Sequence, residues 1–160
     1  MAKKLVAYFS ASGTTAKVAR DLAAATGADL FEIAPEQPYT SADLNWRNKG
    51  SRTTAEMNDE ACRPTIANTL GNIADYDTVY LGFPVWWYVE PRIIDTFLES
   101  YDFAGKTIIP FATSGGSGLG RAPQRMQELA AGATVLSGGL LNGRPSQAKL
   151  ATWAQEALEA

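Results

Sequence analysis

Phe9-Ser10-Ala11-Ser12-Gly13-Thr14-Thr15 joins the apolar run Leu5-Val6-Ala7-Tyr8-Phe9 to the pattern Ala16-Lys17-Val18-Ala19-Arg20-Asp21-Leu22-Ala23. The run reads as a buried strand and the pattern as a helix. Hydroxyl residues and one glycine therefore fill a strand-to-helix turn. Such a turn presents backbone N–H groups and the positive end of a helix dipole, both of which suit a phosphate. The hydroxyls add short donors, and Gly13 lets the backbone pass close to an anion. Ser and Thr also cap helices, and Gly also serves turns, without any ligand. This turn carries no Gly-Lys-Ser/Thr, and the Gly105-Lys106-Thr107 found later has Ser100 where the full motif needs its first glycine; no G-x-G-x-x-G occurs either, so triphosphate and dinucleotide fingerprints are both missing. What remains is a site for a terminal phosphate monoester held by neutral donors.

Beyond this turn the chain alternates short apolar runs with helical patterns. Gly27 stops the first helix. Leu30 to Ile33 reads as a second strand. A long irregular segment, 35–63, follows, with a short helix expected at Ser41 to Trp46 and capped by Ser41. Its length marks it as functional or mobile. A helix is expected from Pro64 to Leu70. Thr78 to Phe83 is the third strand, and Pro91 opens a helix to Leu98. Thr107 to Thr113 is the fourth strand, Ala122 to Leu129 a helix and Thr134 to Leu136 a short fifth strand. Ser146 caps a last helix, Gln147 to Leu158. Alternating strands and helices imply a parallel sheet covered on both faces. Ligands of such sheets sit at the carboxyl ends of the strands.

The 160 residues fit one domain, 1–160. A net charge of -3 argues against nucleic acid as the main partner. No apolar run is long enough to span a bilayer, and the N-terminus lacks a signal-peptide pattern. The single Cys62 suits the cytoplasm. With one Cys and no His, structural zinc and His-based catalysis are excluded. Chemistry beyond acid–base work by carboxylates must come from a cofactor.

Two further loops lie at strand ends. Pro84-Val85-Trp86-Trp87-Tyr88-Val89-Glu90-Pro91 puts three adjacent aromatics directly after a core strand. Flat apolar side chains there suit a planar ring, although Trp often folds back into a core. Ser114 to Gly120 holds four glycines and two serines, and its bare backbone can approach a ring edge or simply flex. A phosphate cradle, an aromatic wall and a backbone edge match a phosphorylated flat heterocycle such as flavin mononucleotide (FMN).

Tyr8-Phe9-Ser10-x-Ser12-Gly13-x-Thr15, then Leu81-Gly82-Phe83-Pro84-Val85-Trp86-Trp87, then Gly105 to Phe111 with Gly115-Gly116-Ser117-Gly118 resemble a bacterial flavodoxin family. The resemblance covers nearly the whole chain. It implies a three-layer, doubly wound, five-stranded parallel sheet of order 2-1-3-4-5, with the cofactor between strands one and three; both are known properties of that fold. It implies FMN, with Ser10, Ser12, Gly13, Thr14 and Thr15 on the phosphate. Pro84, Val85, Trp86 and Trp87, with Thr113, Ser114, Gly115, Gly116 and Ser117, would surround the ring. Two positions depart from the pattern: Ser114 stands where relatives often carry His, and Trp86-Trp87-Tyr88 lacks the glycine that many flavodoxins place after the third strand.

The expected role is a low-potential electron carrier between redox proteins, a reductase and an acceptor. An FMN-dependent NAD(P)H quinone or nitro reductase shares every feature above, and a non-redox phosphate-ligand domain shares the first. Tyr39, Trp46, Arg47, Lys49 and Arg52 could form a lid. Glu90, Asp95, Glu99 and Asp102 read as a solvated helix face or a docking surface.

Overall fold

The computed structural model describes residues 3–11, 13–45, 47–113, 118–143 and 145–159. Strand β1 is Lys3–Tyr8, followed by helix α1, Thr14–Thr26, and strand β2, Asp29–Glu32. Helix α2, Arg52–Met57, precedes strand β3, Tyr76–Pro84, and helix α3, Arg92–Ser100. Strand β4 is Thr107–Thr113 and helix α4 is Ala122–Leu129. Strands β5, Thr134–Val135, and β6, Gly139–Leu140, lead to helix α5, Gln147–Glu159. All strand pairs are parallel, in the order β2-β1-β3-β4-β5, with β6 also on β4.

Alternation along each strand divides the apolar residues between two layers. Leu5, Ala7, Phe9, Val79, Leu81 and Phe83 face α3 and α4. Val6, Tyr8, Tyr80, Ile109 and Phe111 face α1 and α5. Gly82 falls in the second row, and its missing side chain makes room for Phe111: a Cβ there would stand 2.2 Å from the ring. Among the described residues, no helix is long and apolar enough to cross a membrane.

The expected fifth strand is two short pieces sharing one edge. β4 bonds outward through the carbonyls of Lys106, Ile108 and Ala112. Pro110 lies in the same row and has no N–H to offer. Gly138, at φ 65°, presses against the Pro110 carbonyl, where a Cβ would come within 1.8 Å. The edge breaks at that point and resumes with Leu141 N–H on the Ala112 carbonyl, at 2.8 Å.

Two expected helices are absent. Residues 64–70 are irregular because they complete the outer edge of β2. The Asn68 side chain donates to the Glu32 carbonyl and accepts from Ala34 N–H, and Ile66 bridges Pro35. At 41–44 there is one turn. It is capped by Thr40 and not by Ser41: Thr40 Oγ1 accepts from Asp43 N–H while Asp43 Oδ2 accepts from Thr40 N–H. Trp46 lies outside the described residues.

Candidate functional site

The carboxyl ends of β1, β3 and β4 meet. Phe9 N–H donates to the Gly82 carbonyl at 3.0 Å, and Val85 N–H to the Thr113 carbonyl at 2.9 Å. Pro84 pairs with Thr113 in register. The hydroxyls of Thr15 and Thr113 lie 2.8 Å apart, buried. That contact joins the first turn of α1 to the root of the 114–120 loop, across 98 residues of sequence.

Gly13 caps α1 at φ 92°, a left-handed conformation that glycine adopts without strain, and it supplies no side chain to the helix. Its N–H donates to Ser10 Oγ at 3.1 Å. The first intrahelical bond is Lys17 N–H to the Gly13 carbonyl, so the N–H groups of the first turn precede the helical ladder. Thr14 is exposed and Thr15 buried beside them. Ser12, Ser114, Gly115, Gly116 and Ser117 lie outside the described residues.

The aromatic loop is a tight turn. Trp86 and Val89 exchange backbone hydrogen bonds of 3.1 and 3.2 Å. The two central residues, Trp87 and Tyr88, have φ of 50° and 64°. Turns of this shape normally hold Asn or Gly. Placing two bulky residues there costs about 1–2 kcal/mol each. The chain offsets that strain from outside: Arg121 N–H donates to the Tyr88 carbonyl, and Gly120 lies directly beneath it. The consequence is that Trp87 and Tyr88 stand out at 43% and 66% exposure. Trp86 turns inward, edge-on to Phe9 and to Tyr39 at 5.7 and 5.5 Å.

Tyr39 brings the 35–63 segment to this wall. It also meets Phe9 edge-on, carries the Arg52 guanidinium 3.8 Å above its ring, and donates to Glu56 Oε1 at 2.6 Å. Burial first, and then the Glu56 bond, hold the Tyr39 phenol well above its ordinary pKa. Of the residues expected as a lid, Tyr39 and Arg52 are half-buried, whereas Arg47 and Lys49 are exposed. The segment is tied down by Arg92, whose buried guanidinium donates to the carbonyls of Glu56 and Met57 at the end of α2. Burial comes first in raising the Cys62 pKa, so slow alkylation of Cys62 at pH 7 is expected, as followed by mass spectrometry.

The expected acidic face is not on the surface as a unit. Glu99 and Asp102 are exposed, but Glu90 and Asp95 are fully buried. Sequence reading missed this because the arginine hydrogen-bonded to Asp95, Arg125, comes from another helix. Arg125 Nη2 donates to Asp95 Oδ2 at 3.1 Å from α4, and Arg92 Nη1 lies 3.7 Å away on α3 itself.

The parallel sheet of order 2-1-3-4-5 with helices on both faces defines a doubly wound α/β protein. The chain belongs to the flavodoxin family: the family model described as Flavodoxin matches residues 3–157. A protein of Bacteroides eggerthii assigned as a flavoprotein is 48% identical, with 99% of each chain covered and a TM-score of 0.93. A second, from Bacteroides uniformis, is 49% identical over 96% of this chain and 98% of its own, with a TM-score of 0.91. The Lactobacillus acidophilus flavoprotein in complex with FMN shares the fold, at 22% identity, 96% and 99% coverage and a TM-score of 0.69. Among curated proteins none matches.

Proposed function

We propose that the chain binds FMN non-covalently at the tips of β1, β3 and β4 and carries electrons between redox proteins. The carrying observation is the Thr15–Thr113 contact, which sets the start of α1 beside the root of the 114–120 loop, with the Trp86–Val89 turn alongside. Family membership supports the same reading. The residues fit the cofactor: a phosphate needs several donors in one place, and the first turn of α1 supplies them around a glycine without a Cβ.

Ser10, Ser12, Gly13, Thr14 and Thr15 would hold the phosphate. If Thr113 donates to Thr15, the Thr15 hydroxyl proton is free to turn toward that phosphate. Pro84, Val85, Trp86 and Trp87 would face the ring, with Thr113 to Ser117 along its edge. Bound FMN supplies reversible storage of two electrons. The chain's own work is to hold, orient and dry the ring. Neither 84–89 nor 113–120 contains Lys or Arg, so an apolar wall opposes added negative charge on the ring. The expected two-electron potential lies below that of free FMN; a redox titration giving a higher value overturns this.

Isothermal titration tests the site. Thr15→Ala and Ser12→Ala are each expected to weaken FMN by about 1–3 kcal/mol, the cost of a hydrogen bond to a charged group. Unchanged affinity in both places the phosphate elsewhere. NAD(P)H consumption with a quinone and no partner protein would move the assignment to a reductase. A purified protein that FMN does not turn yellow would leave only a phosphate-ligand domain.

A further inference from the structure

Behind the Trp86–Val89 turn, three cations meet four carboxylates. Arg92, Asp95 and Glu99 come from α3, Arg125 from α4, and Glu60 and Arg63 from the segment after α2; Glu90 follows the turn itself. The Cys62 thiol is within electrostatic reach of Arg92 and Arg63. Glu90 and Asp95 are both 0% exposed, and their carboxyl groups lie against each other. Neither Glu90 oxygen has a hydrogen-bond donor, and neither does Asp95 Oδ1. Arg125 Nε stands 3.4 Å from Glu90 Oε1 but is not aimed at it, so that contact is an ion pair without a hydrogen bond.

Two buried carboxylates in contact resist joint ionisation. One proton between them would turn orphaned acceptors into a donor and an acceptor. It would also leave three anions to balance the three arginines.

We propose that the Glu90 carboxyl keeps its proton at neutral pH, holding it against Asp95, and that this proton fastens the Trp86–Val89 turn to α3 and α4. Glu90 follows Val89, whose N–H and C=O close the turn. Arg121, which holds the Tyr88 carbonyl, lies one helical turn before Arg125. Release of the proton to solvent leaves a buried anion without a donor. The anion's route to water carries Val89 and the turn with it. Glu90 is a positioning residue in this account, and its effect on the ring rests on the FMN reading; the proton itself does not.

The direction of the pH dependence follows. Burial first, then the contact with Asp95, pushes the Glu90 pKa up to about 9. A carboxyl raised on folding gives stability that is complete below its ordinary pKa. That stability is lost as pH rises toward 9, and the loss then levels off. The melting temperature should therefore fall from just above the ordinary carboxyl range up to about pH 9 and then level off, whereas FMN affinity, which follows the proton of the folded protein, should fall only as pH passes about 9.

Infrared spectra of the apoprotein test the proton without any cofactor. A protonated-carboxyl band is expected at pH 7 and absent in Glu90→Gln. The amide of Glu90→Gln is a neutral donor at every pH, so its melting temperature and FMN affinity should lack the wild-type decline, which for affinity is about tenfold by about pH 10. Glu90→Ala should melt lower at every pH. Absence of the band in wild type, or a decline in Glu90→Gln that parallels wild type, overturns the proposal. A band present with no FMN bound by either protein would uphold the Glu90 proton and remove the cofactor assignment instead.

Discussion

Replacing Gly120 by Ala is expected to weaken FMN binding by tenfold or more, with a smaller loss of stability. A Cβ at Gly120 would stand 2.2 Å from the Tyr88 carbonyl oxygen, and φ there is 57°. That oxygen already accepts from Arg121 N–H. A methyl group must push the turn outward, and this breaks the backbone contact from Arg121 that helps hold Tyr88 in its left-handed conformation. Trp87 shares the turn and would move with it. The control is Gly143→Ala: φ there is 77°, but no atom lies within 4 Å of the added Cβ. It should cost about 1 kcal/mol of strain and leave FMN affinity alone. Equal affinities for Gly120→Ala and wild type, by fluorescence quenching of FMN, would show that the turn is not part of the ring site.

Gly82→Ala should be the most damaging single methyl in the sheet. Its Cβ would meet three atoms of the Phe111 ring, between 2.2 and 2.8 Å. Phe111 is fully buried between β4 and α5, and β3 is flanked on both sides by β1 and β4, so neither partner can withdraw easily. Overpacking of this kind costs about 3 kcal/mol. For a chain of this length that lowers the melting temperature by about 6–12 °C. Gly82 also accepts from Phe9 N–H directly before the phosphate turn, so weaker FMN binding should accompany the loss. A melting temperature within 2 °C of wild type, roughly half a kcal/mol, would contradict the packing described.

The sheet was legible because its signals are local. Leu5 to Phe9 and Thr107 to Thr113 are apolar, β-branched or aromatic runs, and each is followed by residues that favour turns. The hydroxyl-rich turn at 10–15 announced itself the same way, and the structure brings it to the other two strand tips. The failures share a different cause. Arg52–Met57 carries two threonines and no apolar stripe; it is helical because Ser51 caps it and because Arg92, 35 residues away, binds its last carbonyls. Residues 64–70 have a helical opening but are drawn to the free edge of β2. Glu90 and Asp95 look like surface charges until Arg125 arrives from another helix. Trp87 and Tyr88 hide their conformation because the glycine that makes it possible is Gly120, thirty-two positions on. In each case the deciding partner is distant in sequence.

Diffraction from crystals soaked in FMN tests the central claim most directly. The account predicts a phosphate within hydrogen-bonding distance of the N–H groups that open α1, and a ring lying against Trp86 and Trp87 beside the end of β4. A phosphate bound away from α1, or strand tips left empty at saturating cofactor, would contradict it.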